Sequence, residues 1–273
     1  MLFGKREAVT LCVVGLLAEG HVLLEDVPGT GKTSLARALA ASIGGRFRRV
    51  QFTSDLLPAD VLGVRVWSPS KEGFVFRRGP VFSNVLLADE LNRTSPRTQS
   101  ALLECMSDRQ VTLDGVTEGL PQPFVVIATQ NPVEFEGTWP LPESQLDRFL
   151  LRTALGFPGR DDERRVLLAS SERPPLETLE AVLSPEDVAA LIAAARRVEV
   201  APELVEYVLS IAAATRESGR FLHGMSPRAS QGLYRAAQAL ARVEGRTWCV
   251  PEDGMRLGGP VMAHRRVASP CGR

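Results

Sequence analysis

Residues Glu25-Asp26-Val27-Pro28-Gly29-Thr30-Gly31-Lys32-Thr33 constrain the fold of this chain more than any other segment. They follow the apolar run His21-Val22-Leu23-Leu24 and lead into Ser34-Leu35-Ala36-Arg37-Ala38-Leu39-Ala40, whose composition is helical. A strand, a glycine-rich turn and a helix in that order form a cradle for a triphosphate. Backbone N–H groups around Gly29 to Lys32 point at phosphate oxygens, the lysine neutralises the β and γ groups, and a hydroxyl at the helix start holds Mg²⁺. Val27, Pro28, Gly29, Thr30, Gly31, Lys32, Thr33 and Ser34 are therefore assigned to a site for ATP or GTP, with Thr33 as a metal ligand. One position departs from the general loop pattern, because Asp26 stands where a first glycine is expected.

From the N-terminus to about Ala154, β-like runs alternate with helical ones, the signature of a parallel sheet flanked by helices. The expected strands are His21–Glu25, Arg48–Phe52, Val85–Ala88, Phe124–Thr129 and Leu150–Ala154. Val64-Arg65-Val66-Trp67 and Phe74-Val75-Phe76-Arg77 read as one inserted hairpin, and Gln110-Val111-Thr112-Leu113 before Asp114-Gly115 as the start of another. The composition changes at Gly156-Phe157-Pro158-Gly159, and from Asp161 onward every segment reads as helical. Ser184-Pro185-Glu186-Asp187 and Val250-Pro251-Glu252-Asp253 announce helix starts. The expected organisation is an α/β core over residues 1–156 and a small all-helical domain over 157–273.

Val85-Leu86-Leu87-Ala88 ends in Asp89-Glu90, which places two carboxylates at the end of a buried strand, where α/β sheets bind ligands. Asp89 suits the Mg²⁺ ion and Glu90 suits activation of the attacking water, against the plainer reading of an acidic pair facing solvent. Gln130-Asn131-Pro132 closes another apolar strand, where an amide can hold the water or read the γ-phosphate, or simply initiate a turn. Arg148, just before the last core strand, can reach a neighbouring subunit's nucleotide or pair with Asp147 or Glu143. Arg228 follows the N-cap pair Ser226-Pro227 and sits at the positive end of a helix, a local misfit that suggests an external anion. Arg93 reads either as an inter-subunit sensor or as a loop surface residue.

The 273 residues carry 32 basic and 32 acidic side chains and 44% hydrophobic residues, which describes a globular chain with no global electrostatic case for nucleic acid or an anionic membrane. No apolar run is long enough to span a membrane, and no signal peptide is evident. Cys12, Cys105, Cys249 and Cys271 lack metal-like spacing; the first three lie in apolar helix- or strand-like segments that suit buried free thiols, and a reducing cytoplasm fits. His21, His223 and His264 are scattered without ligand spacing.

Taken together, residues 21–29, Phe52-Thr53-Ser54-Asp55-Leu56-Leu57-Pro58, Gly79-Pro80-Val81-Phe82, Leu87-Ala88-Asp89-Glu90-Leu91-Asn92-Arg93, Ala128-Thr129-Gln130-Asn131-Pro132 and Gln145-Leu146-Asp147-Arg148-Phe149 closely resemble the MoxR family of AAA+ ATPases, and Ser226-Pro227-Arg228 extends the likeness. That family also carries an aspartate at the position of Asp26. The resemblance implies an ATP-hydrolysing P-loop core with a five-stranded parallel sheet, a helical lid, and a ring, most often a homo-hexamer with nucleotide between subunits. By matching motif it implies Lys32 and Thr33 as the Walker A pair, Asp89 and Glu90 as Walker B, Asn131 as sensor 1, Arg148 as the arginine finger and Arg228 as sensor 2. It further implies chaperone-like work on a protein client, activation or metal-cofactor insertion, commonly with a partner that carries a von Willebrand A-type domain. Members usually extend beyond both ends of this sequence, so the chain reads as a late-started or truncated version.

Other classes are disfavoured from the residues. A nucleotide-gated scaffold needs neither Glu90 nor Arg148. A nucleic-acid motor would want more than Arg77-Arg78 beside the hairpin, and a small-molecule kinase would want an acceptor pocket.

Overall fold

The computed structural model describes residues 2–131, 137–169, 176, 178–218, 221 and 224–265. Pro132, His223, Cys271 and the closing segment after Arg265 lie outside the described residues. The elements run in the order α1 (Arg6–Leu17), β1 (Val22–Glu25), α2 (Lys32–Ser42), β2 (Phe47–Gln51), α3 (Pro58–Leu62), β3 (Gly63–Ser68), β4 (Gly73–Arg78), β5 (Val85–Asp89), α4 (Pro96–Asp108), β6 (Gln110–Leu113), β7 (Val116–Gly119), β8 (Val125–Gln130), α5 (Glu143–Leu146), β9 (Leu151–Thr153), α6 (Arg160–Ala169), α7 (Pro185–Ala195), α8 (Pro202–Glu217), α9 (Pro227–Val243) and α10 (Pro251–Met262). Each of the five expected core strands is present, shifted by no more than a residue or two at its ends, which is the usual spread of element boundaries.

The sheet is parallel and five-stranded, in the order β2-β5-β8-β1-β9. Its central strands are apolar up to their polar last residues because helices cover both faces: every residue of β5 is buried, as are the first five of β8. Register places the strand ends together. Gln51 lies opposite Asp89, and Ala88 opposite Ala128. The polar residues that terminate β2, β5 and β8 therefore emerge side by side, and that is what builds the site.

Both inserted hairpins form. β3 pairs antiparallel with β4, Trp67 facing Phe74 in an edge-to-face contact with ring centroids 5.5 Å apart. β6 pairs with β7 across Asp114-Gly115, both at positive φ (50° and 77°), the geometry a two-residue hairpin turn demands. Cys12, Cys105 and Cys249 are buried free thiols, and burial pushes the first two up to about 12 and the third up to about 11.

Two compact units divide the chain, one of Met1–Arg6, Leu24–Pro140 and Ala154–Pro185, the other of Glu7–Leu23, Leu141–Thr153 and Glu186–Arg273. In the second unit α9 is built as its sequence foretells: Ser226 caps it by accepting from Ala229 N at 3.1 Å, Pro227 opens it, and its alanines are buried. The start of α10 is fixed by Asp253, which accepts from Val250 N at 2.9 Å and from both Arg246 terminal nitrogens at 2.8 and 2.6 Å. The described residues also depart from the all-helical expectation. Glu199 and Trp248 form an isolated parallel bridge, because Glu199 both donates to Thr247 O and accepts from Cys249 N at 2.9 Å.

Candidate active site

The phosphate loop takes the geometry its residues call for. Gly29 and Gly31 sit at φ 83° and 97°, a region where a side chain is strained, and a Cβ on Gly29 would meet nothing within 4 Å. Gly31 is the N-cap of α2 and offers no side-chain oxygen, so no N-cap side chain occupies the first-turn N–H groups of that helix. Lys32 Nζ donates to Asp26 O at 3.0 Å and to Val27 O at 3.1 Å, which folds its ammonium over the loop. Thr30 Oγ1 donates to Val27 O at 3.4 Å, while Thr33 and Ser34 lie in the first turn of α2.

Asp26, the residue in place of a loop glycine, proves to be a buried staple. Its Oδ2 accepts from Leu155 N and Gly156 N, both at 2.8 Å, and its Oδ1 from Val27 N at 2.9 Å. Hydrogen bonds to an ionised acceptor are the stronger kind, and their removal strands buried donors. Asp26→Gly, which restores the general loop pattern, should therefore lower unfolding free energy by roughly 3 kcal/mol. Urea denaturation followed by circular dichroism checks this, and a midpoint equal to that of the natural sequence would refute the staple.

The paired carboxylates are held from three directions. Asp89 Oδ1 accepts from Thr129 Oγ1 at 2.6 Å, and the same hydroxyl accepts from Glu90 N at 2.9 Å. Arg49 donates to Asp89 Oδ2 at 2.6 and 3.1 Å. Glu90 stands at φ 57°, a conformation that costs a non-glycine residue about 1 kcal/mol, and this turns its carboxylate toward Gln51 Nε2 at 2.8 Å and Arg93 at 3.2 Å. Of the two amides ending β8, Gln130 is committed to the Glu25 carboxylate, and Asn131 lines the site.

Pro28, Gly29, Gly31, Lys32, Thr33, Asp89, Glu90 and Asn131 thus surround one cavity of about 340 Å³, joined by Arg49, Gln51 and Thr129. A lysine, a helix N-terminus, a threonine hydroxyl and a carboxylate around one cleft are the donor set that a Mg²⁺-nucleotide requires, and the residues present fit it.

Arg148 and Arg228 belong to the second unit. Arg148 is bracketed by two anchored neighbours. Asp147 Oδ1 accepts from Ser226 Oγ at 3.2 Å and lies 3.5 Å from Arg265 Nε, while Phe149 O accepts from Arg265 NH2 at 2.6 Å and from His264 Nε2 at 3.0 Å. Arg228 is exposed in the first turn of α9, two residues beyond Ser226. Burial pulls the His264 imidazole down to about 4, with Arg265 and Arg152 adding repulsion, and burial likewise pulls Arg265 down to about 10. A histidine kept neutral in the fold but free to charge when unfolded makes stability fall as pH drops from about 6.5 toward 4, by up to about 3 kcal/mol, with no contribution above 6.5. His264→Gln should flatten that acid slope in melts recorded at pH 7, 6 and 5; an unaltered slope would exclude His264 as its source.

Comparison with known proteins agrees with this geometry. Residues 21–151 match the family model described as the ATPase family associated with various cellular activities (AAA), and residues 213–272 match an AAA lid domain. The chain is 42% identical to the chaperone MoxR1 of Mycobacterium tuberculosis, over 98% of this chain and 73% of that one. It belongs to the MoxR family of AAA+ ATPases. It is also 48% identical to the uncharacterized protein YeaC of Bacillus subtilis, over 99% of this chain and 84% of that one. Its fold superposes on a crystal structure of a candidate ATPase from Cytophaga hutchinsonii with a TM-score of 0.91 at 37% identity, covering 98% of this chain and 84% of the other.

Arg49, Gln51 and Thr129 line the cavity of this MoxR-family chain, and the sequence reading does not assign them. Nothing local marks them: Arg48 and Arg49 are adjacent in an alternating strand, and only the pairing of β2 with β5 decides which of them meets Asp89. Arg93, open between two readings in the sequence, pairs with Glu90 within its own chain. Arg78, considered for phosphate binding, donates to Glu118 at 2.9 Å and stacks over Phe82.

Proposed function

We propose that this chain hydrolyses ATP with Mg²⁺ and couples the hydrolysis to chaperone-like remodelling, activation or metal-cofactor insertion of partner proteins. The observation that carries the reading is the meeting of the α2 N-terminus with the ends of β2, β5 and β8 around one cavity, so that Lys32, Thr33, Asp89, Glu90 and Asn131 face the same volume. In this reading Lys32 leaves the carbonyls of Asp26 and Val27 for the phosphates, and the N–H groups from Gly29 to Ser34 cradle them. Thr33 and Asp89 would hold Mg²⁺, which when bound neutralises charge on the β and γ oxygens. Glu90 orients the attacking water and accepts its proton, and Asn131 fixes that water against the γ-phosphate.

Arg148 is proposed as a finger supplied to the neighbouring subunit of a homo-hexamer and Arg228 as the lid's contact to nucleotide, within a core of residues 1–156 and a lid of 157–273. A protein client and a von Willebrand A-type partner are proposed from the family, and the name of the Mycobacterium tuberculosis relative, a chaperone, supports the client. A cytoplasmic setting is proposed; among the described residues no helix is long and apolar enough to cross a membrane.

The test is steady-state ATP hydrolysis with Mg²⁺ across a protein concentration series, with mass recorded by light scattering in the same samples. Turnover that rises as rings assemble and disappears in Lys32→Ala is the expected result. Assembly with no turnover above buffer would replace the motor by a nucleotide-gated scaffold.

A further inference from the structure

Asp89, the carboxylate assigned to the metal, already has a cation of its own chain against it. Arg49 donates to Asp89 Oδ2 from Nε at 3.1 Å and from NH2 at 2.6 Å, and Thr129 Oγ1 donates to the opposite oxygen at 2.6 Å. Both oxygens are engaged and the charge is neutralised. The two partners differ in freedom: the Asp89 side chain is 11% exposed, whereas that of Arg49 is 49% exposed. Asp89 is fixed by a central strand and a threonine, so the guanidinium is the partner able to leave. A single brace from within β2 steadies it, since Arg49 NH2 also donates to Gln51 Oε1 at 3.2 Å.

We propose that Arg49 is a built-in competitor of the divalent cation, which must leave Asp89 Oδ2 for the metal to enter with nucleotide and which returns to it as the metal departs. The inference rests on the reading of Asp89 as the metal-binding carboxylate. Two cations cannot share one carboxylate at ion-pair distance without mutual repulsion. A half-exposed pair is weak, so Arg49 raises the metal concentration needed without blocking the site. It would thereby make metal release after hydrolysis easier, because a cation stands ready to take the metal's place on the aspartate.

Mn²⁺ serves as the probe, titrated into the full chain saturated with a non-hydrolysable ATP analogue and followed by electron paramagnetic resonance, with analogue affinity measured separately in EDTA. Arg49→Gln should lower the Mn²⁺ midpoint about fivefold once each variant is brought to saturation at its own analogue affinity. Arg49→Lys, which keeps the charge, should hold the midpoint near the natural value. An Arg49→Gln midpoint that stays put or rises, or an Arg49→Lys that behaves like Arg49→Gln, would overturn the competition. Asp89→Asn in the same titration separates the two readings. Full-strength Mn²⁺ binding there defeats the metal assignment itself, whereas lost binding beside an unmoved Arg49→Gln midpoint defeats only the competitor.

Discussion

Glu90→Gln should bind ATP as well as the natural sequence does and hydrolyse it about 10²- to 10⁴-fold more slowly, the usual worth of a positioned general base. The expectation follows from how the side chain is carried. Glu90 is one residue beyond the end of β5, its N–H is anchored on Thr129 Oγ1, and its positive φ aims the carboxylate at Gln51 and Arg93. Glutamine preserves the shape and can still meet Arg93 through its carbonyl oxygen, so the fold and the phosphate loop are left alone. Only the ability to take a proton is removed. Filter binding of labelled ATP alongside single-turnover hydrolysis separates the two effects. Turnover within about fivefold of the natural rate would transfer the base to another group, and loss of binding would place Glu90 in the nucleotide cradle instead.

Arg148→Ala should slow turnover about 10³-fold or beyond, because a guanidinium aimed at a transferring phosphoryl group stabilises charge that exists only in the transition state. The flanking residues support that assignment. Asp147 is held by Ser226 and Arg265, and the carbonyl of Phe149 by Arg265 and His264, so the backbone on both sides of Arg148 is pinned. Such anchoring reduces the entropy lost when the side chain engages a ligand. If the finger acts on a neighbour, rings mixed from Arg148→Ala and Glu90→Gln subunits should recover activity at those interfaces where an intact Glu90 meets an intact Arg148. Absence of recovery in rings whose mixed composition is verified by mass would confine Arg148 to its own chain. Arg148→Lys provides the control on geometry, since lysine keeps the charge but lacks the planar fork.

Much of this protein is legible one segment at a time. The phosphate loop is a local structure in which glycines admit positive φ, a lysine follows and a helix begins, and Val27 to Thr33 take that form here. The hairpin turn at Asp114-Gly115, the apolar strands 85–89 and 125–130 and the Ser226 cap are likewise set by neighbours within a few residues. Asp89, Glu90 and Asn131 could be placed beside the loop because buried parallel strands deliver their carboxyl ends to one edge of a sheet.

What remained hidden depends on partners far away along the chain. Asp26 looks like a blemish in the loop pattern until its carboxylate is found on the N–H groups of Leu155 and Gly156. Arg49 and Gln51 are only two residues of the expected strand 48–52 until parallel pairing sets Gln51 level with Asp89 and brings Arg49 onto its carboxylate. Arg265 carries no local mark of a role, yet it is buried against Asp147 and the Phe149 carbonyl. Sequence by itself determined the elements, the form of the glycine loop and the polar residues that end the core strands, because periodicity and turn geometry act over a handful of residues. Tertiary structure alone decided which side chains restrain those residues, because strand register and buried ion pairs are choices among distant partners that no local pattern encodes.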